Sequence, residues 1–306
     1  MTRVVGVGLL TGWGVGAAAL PADARTAAAG RRVIPLAPPP LDGERFRRAT
    51  RECLLGVAAV QTMLADAGLS ADAIRGPETA LVYATAAAYG SSNRRFIDAA
   101  SGATTGASKT VVAGAARPAR AAGGPSQVGS GSDVATRARG GSGSGLYFPY
   151  TAPSAVPAEV AIEYGVRGGY VILVGGATAG VEALWQAATL LRGGRCERAV
   201  VLTVETFVEC EDLWARGRWT VRGPLVEAAA CALLEGAGDV RYAPAAAPAP
   251  LETLADRRAG ETLACGPLVS LALARDAGDD QASLTGQWRG RRMGVTLALA
   301  TAGARA

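Results

Sequence analysis

A short strand, a glycine turn and a helix place four small residues where many enzymes hold a nucleophile. Residues 170–174 are apolar and mostly β-branched, which predicts a strand buried on both faces. Gly175 and Gly176 allow a sharp turn, and from Thr178 onward apolar residues recur with a helical period. Backbone N–H groups at the head of such a helix point outward and can stabilise negative charge. We name residues 175–180 the elbow, and its candidate site residues are Gly176, Ala177, Thr178 and Gly180.

None of the elbow side chains can act as a nucleophile unaided. Enzymes activate a serine, threonine or cysteine with a neighbouring base, most often histidine. The chain contains no histidine, so Ser-His-Asp and Cys-His sites are excluded. No base for Thr178 is evident in the sequence. The elbow therefore has the predicted shape of a catalytic site but lacks a catalytic residue.

The segments around the elbow resemble those around the active-site cysteine of the β-ketoacyl-ACP synthases, a family with the thiolase fold. Residues 165–169, Gly-Val-Arg-Gly-Gly, are similar to the family's Gly-Leu-Arg-Gly-Pro. Residues 176–180, Gly-Ala-Thr-Ala-Gly, correspond to its Ala-Cys-(Ala/Ser)-Ser-Gly, which places Ala177 at the position of the nucleophilic cysteine. Three further strand segments resemble the family, at residues 4–14, 197–205 and 224–235.

This resemblance implies an α/β, thiolase-like fold, with a mixed five-stranded sheet, helices on both faces and a truncated second half. Family members that condense acyl chains use a cysteine with two histidines, or with histidine and asparagine. Because this chain lacks both residue types at the site, it is similar to a degenerate, chain-length-factor-like member. The resemblance also implies that the strand before the elbow lies at the sheet edge and pairs with a partner subunit. The residues of this dimer edge are Tyr170, Val171, Ile172, Leu173 and Val174.

Composition shifts divide the chain into two predicted parts. Residues 1–242 form the ketosynthase N-terminal-like half, with a flexible insertion at about 101–145 that is rich in glycine and serine. Residues 243–306 form a linker and a short C-terminal remnant of one helix and two strands. Two interpretations of the insertion stay open. It either belongs to loops that cover the acyl channel and the dimer contact, as the resemblance implies, or it is disordered and has no role.

The composition excludes several other classes of protein. Hydrophobic residues make up 49% and charged residues 19% of the 306 residues, as in a packed globular protein. The net charge is +5, but the arginines are scattered and no aromatic-rich motif accompanies them, so we predict no nucleic-acid partner. A mildly basic surface would instead suit an acidic carrier protein. Five widely spaced cysteines without histidine favour reduced thiols in the cytoplasm over zinc or a disulfide framework.

The first 22 residues allow two interpretations. They could form a secretory signal, or a buried first strand with a glycine-rich turn. Glycines interrupt the apolar run repeatedly, and the segment resembles the family's first strand, so we favour the strand. The pattern Gly6-x-Gly8-x-x-Thr11 lacks the last glycine of a dinucleotide fingerprint, and we predict no cofactor. No run of about 18 apolar residues occurs, so no membrane span is predicted.

Three functions remain open on this evidence. The favoured one is a non-catalytic subunit that pairs with an active β-ketoacyl-ACP synthase in type II fatty-acid, polyketide or aryl polyene-type biosynthesis. Such a subunit would contact acyl carrier protein and shape the acyl tunnel. The second is an acyl-ACP decarboxylase or acyltransferase with altered chemistry, since the helix amides of the elbow could stabilise an oxyanion. The third is a degenerate scaffold protein without an acyl ligand.

Overall fold

The computed structural model describes residues 2–41, 43–46, 49–86, 152–208 and 223–300. Its strands are β1 Arg3–Thr11, β2 Gly14–Val15, β3 Val33–Ile34, β4 Thr79–Thr85, β5 Tyr170–Val174, β6 Arg198–Glu205, β7 Leu225–Val226, β8 Ala228–Glu235, β9 Tyr242–Pro244, β10 Gln281–Trp288 and β11 Arg291–Leu299. Its α-helices are α1 Ala24–Ala28, α2 Arg51–Ala67, α3 Ala155–Tyr164, α4 Ala177–Arg192, α5 Pro250–Ala259 and α6 Gly266–Asp276. The predicted loop at residues 86–93, except for Ala86, and the insertion at 101–145 lie outside the described residues.

The five predicted strands lie next to one another and form one end of a larger mixed sheet. Their order is β1-β8-β6-β4-β5, with β6, β4 and β5 parallel and β8 antiparallel to both of its neighbours. The predicted strand number is too low, because nine strands form this sheet in the described part of the chain. The hairpin β10–β11 joins beside β1 through a short parallel contact, while β2 pairs with β1 and β9 with β11. These additions come from a turn and from the C-terminal part, whose pairing partners lie far away in sequence.

Helices cover both faces of the sheet, as predicted. Alternate residues of β4 point to opposite faces, so Val82 packs on the side of α4, α5 and α6, while Leu81 and Tyr83 pack on the side of α2 and α3. Close packing on the second side depends on glycine in β1. A Cβ at Gly8 would lie 2.3 Å from the carbonyl oxygen of Ala59 in α2. The small residues therefore let helix and sheet approach closely.

The C-terminal part differs from its prediction at two prolines. The Ala/Pro-rich composition of residues 244–250 predicts a linker, but Pro250 begins α5, because the first helical position needs no N–H donor. The sequence also predicts a helix over about 262–277 that Pro267 disrupts, whereas Pro267 lies in the first turn of α6. The predicted strands match β10 and β11 closely. Both pack on α4, which also contacts β4 and β6, so the segments before and after residue 242 share one hydrophobic core.

A buried carboxylate joins segments that lie far apart in the sequence. Glu227, between β7 and β8, is fully buried and forms an ion pair with Arg51 at the start of α2. It also accepts hydrogen bonds from the backbone N–H groups of Leu36, Phe207 and Val208, at 2.7–2.9 Å. Burial alone would raise the pKa of Glu227, but these hydrogen bonds and Arg51 hold it below its usual value. The charged form is therefore the one that the fold stabilises.

We expect Glu227→Gln to lower the free energy of unfolding by about 3–5 kcal/mol at neutral pH, because it leaves Arg51 without its buried partner. The pKa of Glu227 is lowered on folding, so its contribution is present above the unfolded-state pKa and is lost as pH falls through the folded value. The difference in the free energy of unfolding between wild type and variant should thus become smaller as the pH is lowered from neutral. Urea unfolding of both proteins at a series of pH values measures this difference. Glu235→Gln, which removes the partner of a more exposed arginine, Arg198, should cost less than about 1 kcal/mol.

Candidate functional site

The elbow lies at the edge of the sheet where three parallel strands end. The N–H of Gly175 donates to the carbonyl of Thr85, the last residue of β4, at 2.9 Å. Gly176 precedes α4, and its carbonyl accepts a 2.9 Å hydrogen bond from the N–H of Ala179. Ala177 is thus the first residue of α4 and is only half-buried. The carboxyl edge of parallel strands is where α/β proteins usually bind ligands, so the elbow has the position of a functional site.

The end of the hairpin β10–β11 lies directly on the elbow. A Cβ added at Gly176 would lie 2.2 Å from Cε3 of Trp288, so the indole ring is in contact with the backbone there. A Cβ at Gly286 would lie 2.6 Å from the carbonyl oxygen and 2.9 Å from the Cβ of Ala177. Both glycines are required by this close approach. The chain's own hairpin therefore packs against the backbone of the turn at Gly176 and Ala177.

The short 3₁₀ segment Leu263–Cys265 closes a second side of the elbow. A Cβ at Gly180 would lie 2.2 Å from the carbonyl oxygen of Ala264, so α4 packs backbone to backbone on this segment. Leu263 adopts a left-handed conformation with φ 47° although it is not glycine, a strained state that requires support from its surroundings. Glu205 at the end of β6 supplies part of it. Its carboxylate accepts hydrogen bonds from the N–H of Ala264, at 3.2 Å, and of Ala86, at 2.7 Å.

The structure brings Trp288, Gly286 and Glu205 to the elbow, and no sequence pattern connects these residues with it. Trp288 and Gly286 lie more than 100 positions beyond Ala177 in the chain, in a hairpin that was predicted only as a remnant. Glu205 was placed in a strand without a role. A tryptophan beside the Arg-Gly-Arg turn was the one available signal, and it does not identify a contact. The sequence also predicts a partly buried surface loop over residues 206–222 that carries Trp214 and Trp219, and both tryptophans lie outside the described residues.

More than half of the sequence matches a known family model. Residues 37–221 match the β-ketoacyl synthase N-terminal domain. This chain belongs to the β-ketoacyl synthase family. The thiolase-like fold predicted from the resemblance is therefore confirmed. No curated protein matches the sequence.

Solved structures of ketosynthases and chain length factors share the fold at low sequence identity. The ishigamide ketosynthase/chain length factor has a TM-score of 0.61 and 15% identity, covering 98% of this chain and 99% of the other. A type II polyketide carrier protein–ketosynthase complex, AntDE:AntF, has a TM-score of 0.65 and 13% identity, covering 97% and 98%. The ketosynthase ApeO with its chain length factor ApeC from Xenorhabdus doucetiae has a TM-score of 0.57 and 12% identity, covering 97% and 98%.

The thiols of this β-ketoacyl synthase family member do not replace the missing nucleophile in the described part of the chain. Cys265 is next to Ala264, which contacts the elbow, but its side chain is fully buried, and burial raises its pKa well above the usual value. Burial likewise raises the pKa of Cys53 to about 12 and raises those of Cys196 and Cys231. A protonated thiol is a poor nucleophile, so these four are structural.

We therefore expect the native protein to react with Ellman's reagent through no more than one of its five thiols. The four described cysteines are buried, and only Cys210 lies outside the described residues. Unfolding in guanidinium should expose all five, which provides the control for the count. In Cys210→Ser the fast native reaction should disappear. Rapid native labelling in that variant would show that a described thiol is accessible and more acidic than the burial implies.

The strand before the elbow is not buried on both faces, contrary to the prediction. Tyr170 and Val174 are 67% and 60% exposed, and the three residues between them are half-buried. The reason is its place in the sheet, since among the described residues β5 pairs with β4 alone and ends the strand order. An apolar run looks the same in sequence whether one or two strands flank it. The position at the sheet edge agrees with what the resemblance implied.

Among the described residues, no helix is both long enough and apolar enough to cross a membrane.

Proposed function

We propose that this chain is a non-catalytic, chain-length-factor-like subunit that pairs with an active β-ketoacyl-ACP synthase. In this role it completes a cytoplasmic heterodimer of a type II fatty-acid, polyketide or aryl polyene-type pathway. It forms part of the wall of the acyl tunnel, and acyl carrier protein binds the complex. The solved structures of ketosynthases with chain length factors or carrier protein support this proposal as relatives in fold.

The observation that carries the proposal is the closed elbow. Ala177 occupies the position that corresponds to the family nucleophile and cannot form a thioester. The indole of Trp288 covers Gly176, and Gly286 abuts Ala177, so the chain's own hairpin occupies space beside the turn. The whole sequence contains no histidine to polarise a thioester or promote decarboxylation. A subunit with this site contributes surface and shape and performs no bond-breaking step.

The edge strand supports a role in assembly. β5 carries no charge, proline or lysine, which are the usual means of protecting a free sheet edge. Within the described part of the chain no strand pairs with its outer edge, so we propose that this edge pairs with a strand of another subunit. A permanent complex formed in this way would bury well over about 2,000 Å². The partner is proposed to be a ketosynthase rather than a second copy, because two copies of this chain would together have no nucleophile.

The experiment is co-expression with a ketosynthase from the same pathway, followed by size-exclusion chromatography and an assay with radiolabelled malonyl-ACP. We expect a stable one-to-one complex that condenses, with product formation lost when the ketosynthase cysteine is replaced. The isolated chain should neither condense nor decarboxylate. Decarboxylation by the isolated chain would favour the altered enzyme. Absence of any complex, with the chain stable alone, would favour a scaffold.

A further inference from the structure

An apolar groove lies beside the edge strand, between α3 and the beginning of β5. It has a volume of about 190 Å³, and none of its lining residues is charged. Its walls include Leu81, Pro157, Ala158, Ala161, Val166 and Tyr170. An engineered apolar cavity of about 150 Å³ in another protein accepts benzene. The groove is therefore large enough for an aromatic ring or a branched aliphatic side chain.

Exposed apolar side chains concentrate on the same face of the molecule. Ile162, one helical turn from Ala158, is 67% exposed, and Tyr170 and Val174 are exposed at the two ends of β5. Charged residues lie beside this area, where Arg45 forms ion pairs with Glu159 and Glu163 of α3 at 3.3 Å and 2.6 Å. An apolar centre with a polar rim is the usual anatomy of a protein interface.

The groove is continuous with the edge strand. Tyr170 belongs to both, and Ile172, two residues further along, packs on the same face of the sheet as α3. A strand that pairs with β5 would run past the mouth of the groove. Alternate side chains of that strand point to the α3 face, so one of them can reach the groove without any change in the backbone of this chain.

We propose that the groove is a socket for one apolar side chain of the partner ketosynthase, such as leucine, methionine or phenylalanine. This inference rests on the proposed function, in which the partner pairs with β5. The strand pairing supplies main-chain hydrogen bonds of low selectivity, and the socket selects the partner by the size of one side chain. A buried anchor of this kind carries a large share of the binding energy of an interface.

The test fills the groove while keeping the fold. Ala158 is exposed on α3, so Ala158→Trp can occupy the groove without disturbing the core, and an unchanged melting temperature of the chain verifies this. We expect it to weaken binding to the co-expressed ketosynthase at least about 30-fold, as loss of a hot spot does. The small replacement Ala158→Ser should stay within about threefold of wild type. Ala65→Trp, on an exposed position of α2 near β1, should leave the affinity unchanged.

A photo-crosslinker identifies the occupant directly. With p-benzoylphenylalanine in place of Ile162 at the rim, irradiation of the complex should link this chain to an apolar residue of the ketosynthase. A crosslink to residues 87–151 of the same chain, or to a second copy, would overturn the proposal. Wild-type affinity in Ala158→Trp, together with loss of binding in Val174→Lys, would also overturn the socket. That combination of results would still support the proposed function, because the partner would pair with β5. Failure of the wild-type chain to bind a ketosynthase would overturn both.

Discussion

Val174→Lys is expected to abolish association with the partner while leaving the chain itself folded. The side chain is 60% exposed in the single chain, so a lysine there is solvated until a partner strand covers it. In the complex the charge would be desolvated next to an apolar strand, at a cost of several kcal/mol. A loss of at least about 100-fold in affinity is the expected size, and size-exclusion chromatography with light scattering of the co-expressed pair measures it.

A matched substitution separates this effect from a general effect of charge. Val15 on β2 is 64% exposed, and Val15→Lys should leave association unchanged. Ile172→Lys and Leu173→Pro, whose side chains are half-buried, should abolish association and also destabilise the chain, giving insoluble protein. A soluble wild-type monomer at micromolar concentration, with rapid hydrogen exchange along β5, would contradict the assignment of this strand as an interface.

Ala177→Cys is expected to restore no condensing activity. The substitution places a sulfur at the position that the resemblance assigns to the family nucleophile, but the chain still has no histidine to polarise a carbonyl or drive decarboxylation. The new thiol also lies beneath the hairpin, against Gly286 and beside Trp288. Product formation from acyl- and malonyl-ACP by the isolated variant should stay at the buffer background. The same assay on the active partner provides the positive control.

Alkylation tests the closure of the elbow independently of turnover. Since the four described native thiols are buried, iodoacetamide labelling of Ala177→Cys in a Cys210→Ser background reports on the new thiol alone. We expect slow labelling, accelerated at least about tenfold when Trp288→Ala removes the indole, because access limits the rate. Rapid labelling with Trp288 in place would show that the elbow is open. Condensation by Ala177→Cys would show that a base other than histidine serves the site.

The elements with a clear period were predictable to within a few residues. β4 and α3 have the predicted bounds, residues 79–85 and 155–164, because a strand buried on both faces is a continuous apolar run and a helix stops where glycine can adopt a left-handed turn. The apolar spacing predicts a helix over residues 45–67 with Gly68 as its C-cap, and α2 ends at Gly68 in the left-handed conformation. The predicted start is too early, since Glu44–Phe46 form a separate 3₁₀ turn and α2 begins at Arg51. Local patterns thus specify where elements end better than where they begin.

The sequence by itself determined the family, the order of the central elements and the absence of a histidine-based site, because these depend on residue identity and local spacing. Only the tertiary structure decided that β5 is half-exposed, since an apolar run does not reveal how many neighbours the strand will have. It also decided that Trp288 covers Gly176. That contact joins residues more than 100 positions apart. It forms because the hairpin packs on α4, the helix that begins in the elbow. Long-range packing of this kind leaves no period or spacing in the sequence from which it could be predicted.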